Sequence, residues 1–451
     1  MTDINDTIVA LATPPGLGAI GVIRISGNSS FEIINKVFYG KNISKANSHT
    51  VHFGTIRDGE EILDEVVVTI FKGPHSYTLE DVIEISCHGS TYILQSVIQL
   101  LIRNGARLAK PGEFTQRAFI NGRFDLAQAE AVADLIAAES EAAHSTAMKQ
   151  MRGGFSGEIK LLREELIHFA SMIELELDFS EEDVEFASRD ELKTLIIKIQ
   201  TPVDELIKSF ELGNALKNGI PVVIAGKPNA GKSTLLNALI NEERAIVSDI
   251  PGTTRDVIED TFNVEGTLFR FIDTAGLRET QDKIEAIGVE RSKEKMKQAK
   301  VIVLLLDLHA QNKEEIEEQI AQVESYNIPF LVLGNKMDLY SEPEVELDTI
   351  IKVSAKEGTN LDLLRSKLLE LSQSNQLKTE GTIITSIRHY ESLQKTKEAL
   401  SRVLDGIDSG ISNDFLAMDI RESLQHLGEI TGEITTDDLL DNIFSKFCIG
   451  K

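Results

Sequence analysis

The chain has 451 residues, which is enough for about three domains. Lys and Arg total 46 against 72 Asp and Glu, and the formal net charge of −26 argues against broad, phosphate-driven nucleic-acid binding by the chain alone. Hydrophobic residues make up 42% and there are two cysteines, which excludes a disordered chain, a disulfide framework and a cysteine-based zinc site. With no secretory signal and no membrane-length apolar run, we expect a cytoplasmic protein.

Residues 1–118 have the pattern of an α+β domain. Runs rich in β-branched residues predict strands at 19–26, 65–71 and 81–89. The apolar stretch 91–105 predicts a helix that stops at Gly105.

Residues 119–217 are predicted to form the first part of a helical domain. Apolar residues recur at spacings of three and four between Ile159 and Leu177, which indicates a helix face that packs on another helix. The acidic stretch 180–191 is predicted to be a loop. The helix that follows is expected to be interrupted at Pro202, because proline lacks the backbone N–H.

Residues 218–378 alternate short apolar strands with helical patterns, which predicts a doubly wound, mainly parallel sheet covered on both faces. Helical patterns return over 379–451. We therefore predict an α/β domain inserted into a helical domain, with the two ends of the insert close together.

Residues 226–233, GKPNAGKS, match the phosphate-binding loop pattern in its required place between a strand and a helix. The glycines let backbone N–H groups turn toward phosphates, and the helix N-terminus adds its dipole. Lys232 is expected to neutralise the β- and γ-phosphates, and the Ser233 hydroxyl to ligate Mg²⁺. The other predicted contacts of the loop are Asn229, Ala230, Gly231 and Thr234.

Three further motifs follow in the order found in GTPases: DTAG at 273–276, NKMD at 335–338 and SAK at 354–356. Asp273 would hold Mg²⁺ through water. The Asp338 carboxylate matches the paired N–H donors of guanine, which selects GTP over ATP. The predicted contacts of these motifs are Asp273, Thr274, Ala275, Gly276, Asn335, Lys336, Asp338, Ser354, Ala355 and Lys356.

The segment 244–256 lies where the first switch of a GTPase is expected, and Thr254 is the predicted second hydroxyl ligand of Mg²⁺. Many signalling GTPases orient water with a Gln directly after the DTAG glycine, but here that residue is Leu277. The domain therefore needs another charge-stabilising group, either a cation held within it or a group from a partner.

Several stretches outside these motifs are also distinctive: residues 12–27, 76–89, 111–136 and the terminal CIGK at 448–451. With PGTTRD at 251–256 and DTAGLRET at 273–280, they make the chain resemble the MnmE (TrmE) family of tRNA-modifying GTPases along its whole length. The resemblance implies a Ras-like GTPase domain, a folate-binding-like N-terminal domain that forms a homodimer, and a helical domain.

The resemblance also implies hydrolysis stimulated by K⁺, which acts where an arginine finger would otherwise act. Asn229 matches the side-chain K⁺ ligand of the family, and Ser248, Ile250 and Thr253 would complete the site. Glu285 matches the catalytic glutamate that orients water. From the residues alone, an ordinary acid in the first turn of a helix is the preferred interpretation of Glu285.

Family members work with the flavoprotein MnmG. Together they place an aminomethyl or carboxymethylaminomethyl group on C5 of the wobble uridine of certain tRNAs, using a tetrahydrofolate derivative such as 5-formyltetrahydrofolate. Arg24, Glu84, Arg123 and Lys451 match positions linked to folate. From the residues alone there are alternatives: Arg24 could be a surface charge at a strand end, and Glu84 could be an acid on an edge strand. Cys448 is a candidate nucleophile, although free cysteines are more often small buried residues.

A second class of function is an assembly-factor GTPase that binds RNA or ribosomes. Such factors usually carry a basic RNA-binding appendage, and none is apparent here. The acidic charge instead suggests that the flavoprotein supplies the basic tRNA surface, so that tRNA is bound through the complex. Because the sequence has no membrane-length apolar run, we expect no membrane partner.

Overall fold

The computed structural model describes residues 6–178, 189–244, 261–272, 296–339, 350–372 and 381–450. In these ranges the chain forms two separate sheets and a set of helices that pack together. None of the described helices is both long enough and apolar enough to cross a membrane.

The first sheet is mostly antiparallel, with strand order β3-β4-β5-β6-β2-β1-β7, and only β1 and β7 pair in parallel. The predicted strands at 19–26 and 81–89 and the helix at 91–105 are confirmed within two residues at each end. The strand predicted at 65–71 begins earlier, because its first residues continue a hairpin with β4. The elements are β1 (Ile8–Leu11), β2 (Ile20–Ser26), α1 (Ser30–Val37), β3 (Phe38–Tyr39), β4 (Thr50–Asp58), β5 (Glu61–Phe71), β6 (Val82–His88), α2 (Thr91–Arg103) and β7 (Arg107–Leu108).

Alternation of apolar residues along these strands creates one buried face. Ile23, Ile85 and Val68 pack against Ile34 of α1 and Leu101 of α2, and all five are almost fully buried. The two helices therefore cover one face of the sheet, as period-two strands and amphipathic helices require.

Five helices follow: α3 (Glu113–Ile120), α4 (Leu126–Ala137), α5 (Glu141–Met151), α6 (Gly154–Asp178) and α7 (Arg189–Asn218). The expected interruption at Pro202 is wrong, because α7 continues through it. A proline inside a helix costs about 3 kcal/mol or more. Ile199 and Val203 on either side of it are fully buried in the same core, and burial of that apolar face holds the helix together across the proline.

The second sheet has the order β13-β12-β11-β8-β10-β9. Its strands are parallel, as predicted, except for the edge strand β9, which forms a hairpin with β10. The elements are β8 (Ile220–Ala225), α8 (Lys232–Arg244), β9 (Thr261–Val264), β10 (Thr267–Phe271), β11 (Val301–Asp307), α9 (Lys313–Glu324), β12 (Phe330–Asn335), β13 (Ile350–Lys352) and α10 (Leu361–Leu371).

Alternate residues of β8 and β11 belong to different buried clusters, which shows that both faces of this sheet are covered. Val303 packs with Leu235 of α8 and Leu364 of α10, whereas Ile302 packs with Ile316 of α9. The sheet is therefore doubly wound, and the predicted fold class is confirmed.

Three helices complete the described chain: α11 (Ile387–Asp408), α12 (Asn413–Thr431) and α13 (Asp437–Phe444). Helices from before and after the second sheet share one core, in which Leu166, Ile196, Leu400 and Leu427 are buried. The segment that returns from the α/β domain crosses α7 at Gly213. A Cβ atom there would lie 1.9 Å from the carbonyl oxygen of Ile384, so this crossing requires glycine.

A buried polar cluster ties α4 to α11. Arg388 Nε lies 2.9 Å from Glu130 Oε1, and His389 Nε2 lies 2.7 Å from Glu130 Oε2. Burial would raise the pKa of Glu130, but His389 and Arg388 together hold it below its ordinary value. Burial lowers the pKa of His389, so Arg388 carries the positive charge of the cluster at neutral pH.

Glu130→Ala is expected to destabilise the helical core by about 3–5 kcal/mol, because it leaves the Arg388 guanidinium buried without its carboxylate. Thermal unfolding followed by circular dichroism measures the effect. Since the pKa of Glu130 is depressed, its stabilisation is fully present above pH 4.5 and is lost as the pH falls below that value. Glu165→Ala, which breaks the exposed pair with Lys198, is the control and should cost less than about 1 kcal/mol. Equal losses in the two variants would contradict this account.

Candidate functional sites

The phosphate-binding loop lies between β8 and α8, and its glycines allow two close backbone approaches. A Cβ atom on Gly226 would lie 2.1 Å from the carbonyl oxygen of Leu305, and one on Gly231 would lie 2.2 Å from Nδ2 of Asn335. Both glycines have positive φ, as does Asn229 at the exposed edge of the loop. The loop can therefore keep its tight shape only with glycine at these two positions.

The Lys232 side chain bonds to the backbone of the loop in which it lies. Its Nζ donates to the carbonyl oxygens of Gly226 at 2.7 Å and Lys227 at 3.0 Å. Burial lowers the pKa of Lys232. Ser233 and Thr234 follow in the first turn of α8, whose N-terminal dipole faces the loop. This arrangement is a cradle for an anion, and it fits the phosphates of a nucleotide.

Asn335 connects three of the predicted motifs. It is buried at the end of β12, its Nδ2 donates to the Ala230 carbonyl at 2.8 Å, and its Oδ1 accepts from the Ala355 N–H at 3.0 Å. One amide therefore sets the position of the phosphate loop relative to SAK at 354–356.

The base-reading carboxylate is also fixed. Ser354 Oγ donates to Asp338 Oδ1 at 2.7 Å, and this hydrogen bond is the main cause that lowers the pKa of Asp338. Asp338 is therefore an ionised acceptor at neutral pH, as pairing with two N–H donors requires. Lys356 is exposed beside it.

Other predicted residues lie outside the described part of the chain, and their roles stay predictions: Ser248, Ile250, Thr253, Thr254, Asp273, Thr274, Ala275, Gly276, Glu285 and Lys451.

The first sheet brings two predicted folate residues together. Arg24 of β2 and Glu84 of β6 are directly opposite in register. Arg24 Nε and Nη2 lie 2.9 Å and 2.8 Å from Glu84 Oε1. Arg24 Nη1 also donates to the Gly450 carbonyl at 3.3 Å. The end of the described chain is thus held beside the first sheet, and the surface-charge alternative for Arg24 is wrong, since its side chain is only 19% exposed.

A cavity of about 490 Å³ lies beside this pair, with Glu84, Arg123, Tyr77, Phe71 and His49 in its wall. Small-molecule sites in proteins span about 300–1,000 Å³, so the size fits a ligand such as a folate. Its mixture of aromatic rings, a carboxylate and a guanidinium suits a flat heterocycle with polar edges.

Tyr77 links the two predicted arginines and was not singled out from the sequence. Its ring centre is 5.4 Å from the Arg24 guanidinium and 5.1 Å from that of Arg123, and its hydroxyl lies 2.9 Å from Thr115 Oγ1. Its place within the distinctive stretch 76–89 was the available signal.

The two cysteines differ in environment. Burial raises the pKa of Cys87 to about 12, which excludes it as a nucleophile at neutral pH. Cys448 is exposed, so its reading as a small buried residue is wrong, and its carbonyl accepts from the Gly112 N–H at 3.3 Å.

Known proteins match these features along the chain. The model for the MnmE helical domain matches residues 126–448, and that for the GTP-binding protein TrmE N-terminus matches residues 7–123. The tRNA modification GTPase MnmE of Cytophaga hutchinsonii is 60% identical over 100% of this chain and 99% of its own length. That of Christiangramia forsetii is 52% identical over 99% of this chain and 100% of its own. The FeoB G-domain from Methanococcus jannaschii is 19% identical, with a TM-score of 0.26, over 34% of this chain and 97% of its own.

Asn335→Asp tests the bridging amide. The variant keeps an acceptor for Ala355 but loses the donor to Ala230, and it buries a charge, so nucleotide affinity should fall at least about tenfold. Titration with a fluorescent GDP measures it. Asn312→Asp is the matched control, because the Asn312 side chain accepts a hydrogen bond from the Glu315 N–H and aspartate accepts it as well. Unchanged affinity in Asn335→Asp would show that the bridge has no role in binding.

Proposed function

The chain belongs to the MnmE family of tRNA modification GTPases, and from this premise we propose that its GTP hydrolysis drives modification of the wobble uridine. With a flavoprotein partner of the MnmG type, it would install an aminomethyl or carboxymethylaminomethyl group at C5. The observation that carries the proposal is the Arg24–Glu84 pair beside a ligand-sized cavity, in a chain that also has the guanine and phosphate motifs joined by Asn335. We place the domain boundaries at 1–118, 119–217, 218–378 and 379–451.

GTP would lie with its phosphates in the loop of residues 226–233 and its base against residues 335–338 and 354–356. Lys232 would turn from the loop carbonyls to the β- and γ-phosphates. Ser233 and Thr254 would hold Mg²⁺ directly, with Asp273 acting through water. That ion supplies neutralisation of phosphate charge.

Asn229, Ser248, Ile250 and Thr253 would hold K⁺. The exposed position of the Asn229 side chain at the loop edge supports this assignment. Glu285 would orient the attacking water, which is the task left open by Leu277.

A tetrahydrofolate derivative such as 5-formyltetrahydrofolate would occupy the cavity beside β6 and supply the one-carbon unit. Glu84 and Arg123 would contact it, and Arg24 would hold Glu84 in place. Lys451 follows Gly450, whose carbonyl already contacts Arg24, so the terminal motif would complete the site.

The chain would act as a homodimer through its N-terminal domain. Val51 and Phe53 of β4 and Ile62 of β5 are each more than half exposed, which supports an interface on this sheet. The flavoprotein would supply most of the basic surface for tRNA, since this chain carries a charge of −26.

The function is tested by mass analysis of tRNA from a strain that lacks the protein. The C5 modification should disappear and should return with the wild-type gene. Glu84→Gln should fail to restore it and should bind 5-formyltetrahydrofolate at least about tenfold more weakly, because an ionised hydrogen-bond partner is lost. Glu32→Gln, an exposed change on α1, is the control. Normal modification in the deletion strain would overturn the proposal and favour an assembly-factor role.

GTP turnover should rise strongly when K⁺ replaces Na⁺, because Na⁺ is too small to reach the same oxygens. Steady-state hydrolysis in matched KCl and NaCl measures this. Asn229→Ala should remove most of the difference between the salts. Equal rates in both salts would contradict the K⁺ assignment of Asn229.

A further inference from the structure

Lys336, in the guanine-binding motif, is paired with an acid that belongs to none of the four nucleotide motifs. Lys336 Nζ lies 2.5 Å from Oδ2 of Asp307, the last residue of β11. Asp307 is directly opposite Asn335 in the register of β11 and β12. The sheet itself therefore brings the carboxylate beside the motif.

Asp307 is well placed to hold the Lys336 side chain in one position. It is 8% exposed, and its Oδ1 accepts from the His309 N–H at 3.1 Å, which fixes the carboxylate. The Lys336 side chain is 32% exposed, so the pair is screened less than a surface ion pair. Lys336 also has φ of 66°, a left-handed conformation that lysine rarely adopts. Backbone and ammonium are thus both restrained, and the aliphatic stem must run between them.

Two other guanine-site side chains are held by groups inside the motifs. Asp338 is held by Ser354, and Asn335 by Ala230 and Ala355. Lys336 differs, because its ammonium pairs with Asp307 on the neighbouring strand β11. A long, flexible side chain loses much rotamer freedom when it covers a ligand. A fixed partner for its ammonium removes part of that cost before binding.

We propose that Asp307 is a positioning residue for guanine: it holds the Lys336 ammonium so that the aliphatic stem is preorganised to cover one face of the base. Asp307 itself does not contact the nucleotide in this arrangement. It acts through Lys336, and its loss should weaken the retention of guanine nucleotides.

Asp307→Asn tests this in the full chain, since it keeps the size and the acceptor for His309 but removes the charge. Dissociation of a fluorescent GDP, measured by displacement in a stopped-flow instrument, should become about tenfold faster, which corresponds to loss of one charge-assisted hydrogen bond. Glu317→Gln is the matched control. It removes the same charge from the exposed pair with Lys313 on α9, and its dissociation rate should equal that of the wild type.

A double-mutant cycle separates positioning from a general effect on the fold. Lys336→Met keeps the stem but has no ammonium, so adding Asp307→Asn to it should change the dissociation rate less than twofold, as expected for groups that act through one contact. A wild-type rate in Asp307→Asn alone would overturn the proposal. So would a full additional effect in the Lys336→Met background, because Asp307 would then act without Lys336.

Discussion

The core shared by the helices before and after the α/β domain constrains the rest of the molecule. Apolar residues of α6 and α7 pack with those of α11 and α12, so the chain must leave this core and return to it at one place. The crossing at Gly213 makes that possible, because Ile384 passes where any side chain would clash. Gln150 and Ser209 bind the backbone of Ile383 and Ile384 and hold the returning segment there. The nucleotide-binding sheet is therefore attached at both of its ends to one helical body.

The same helical body is joined to the first sheet through the end of the chain. Phe444 and Phe447 pack with Leu126 of α4, and Gly112 and Gly450 permit contacts with backbone that a Cβ atom would block. Arg24 then binds the Gly450 carbonyl. Movement of the helical body relative to the first sheet would disturb the wall of the cavity. The α/β domain in turn contacts the connection between α4 and α5 through Glu139, whose carboxylate accepts from Thr261 Oγ1 of β9 at 3.3 Å. The two sites are therefore connected through the helical body, which is a physical route for coupling.

Features set by local chemistry were predictable from the sequence. The second sheet was predicted from the strand–helix alternation. The parts of its nucleotide site were predicted from the glycines at 226 and 231 and from the order of the motifs. Pro202 was misjudged because its cost is local, whereas the burial of Ile199 and Val203 that offsets it depends on distant helices. The alternation pattern does not specify the antiparallel edge strand β9, because the strand is short and its hairpin partner decides its direction. Asp307 could not be found by motif, since sheet register brings it to its site, and the only sequence signal for Tyr77 was its place in the distinctive stretch 76–89. The prediction that Arg24 and Glu84 bind folate came only from the resemblance, although their pairing follows from the register of β2 and β6.

The net charge of −26 is compatible with binding a highly anionic nucleotide, because the nucleotide responds to nearby groups and not to the charge of the whole chain. At physiological salt, charges more than about 8 Å away are largely screened. The nucleotide phosphates would therefore respond to the backbone N–H groups of the loop, the dipole of α8 and Lys232, whose ammonium the loop holds in place. A tRNA backbone extends far beyond that distance and would meet the acidic surface directly. A chain of this composition can hold GTP by local design but needs a basic partner for tRNA, which is the division of labour that the proposed complex provides.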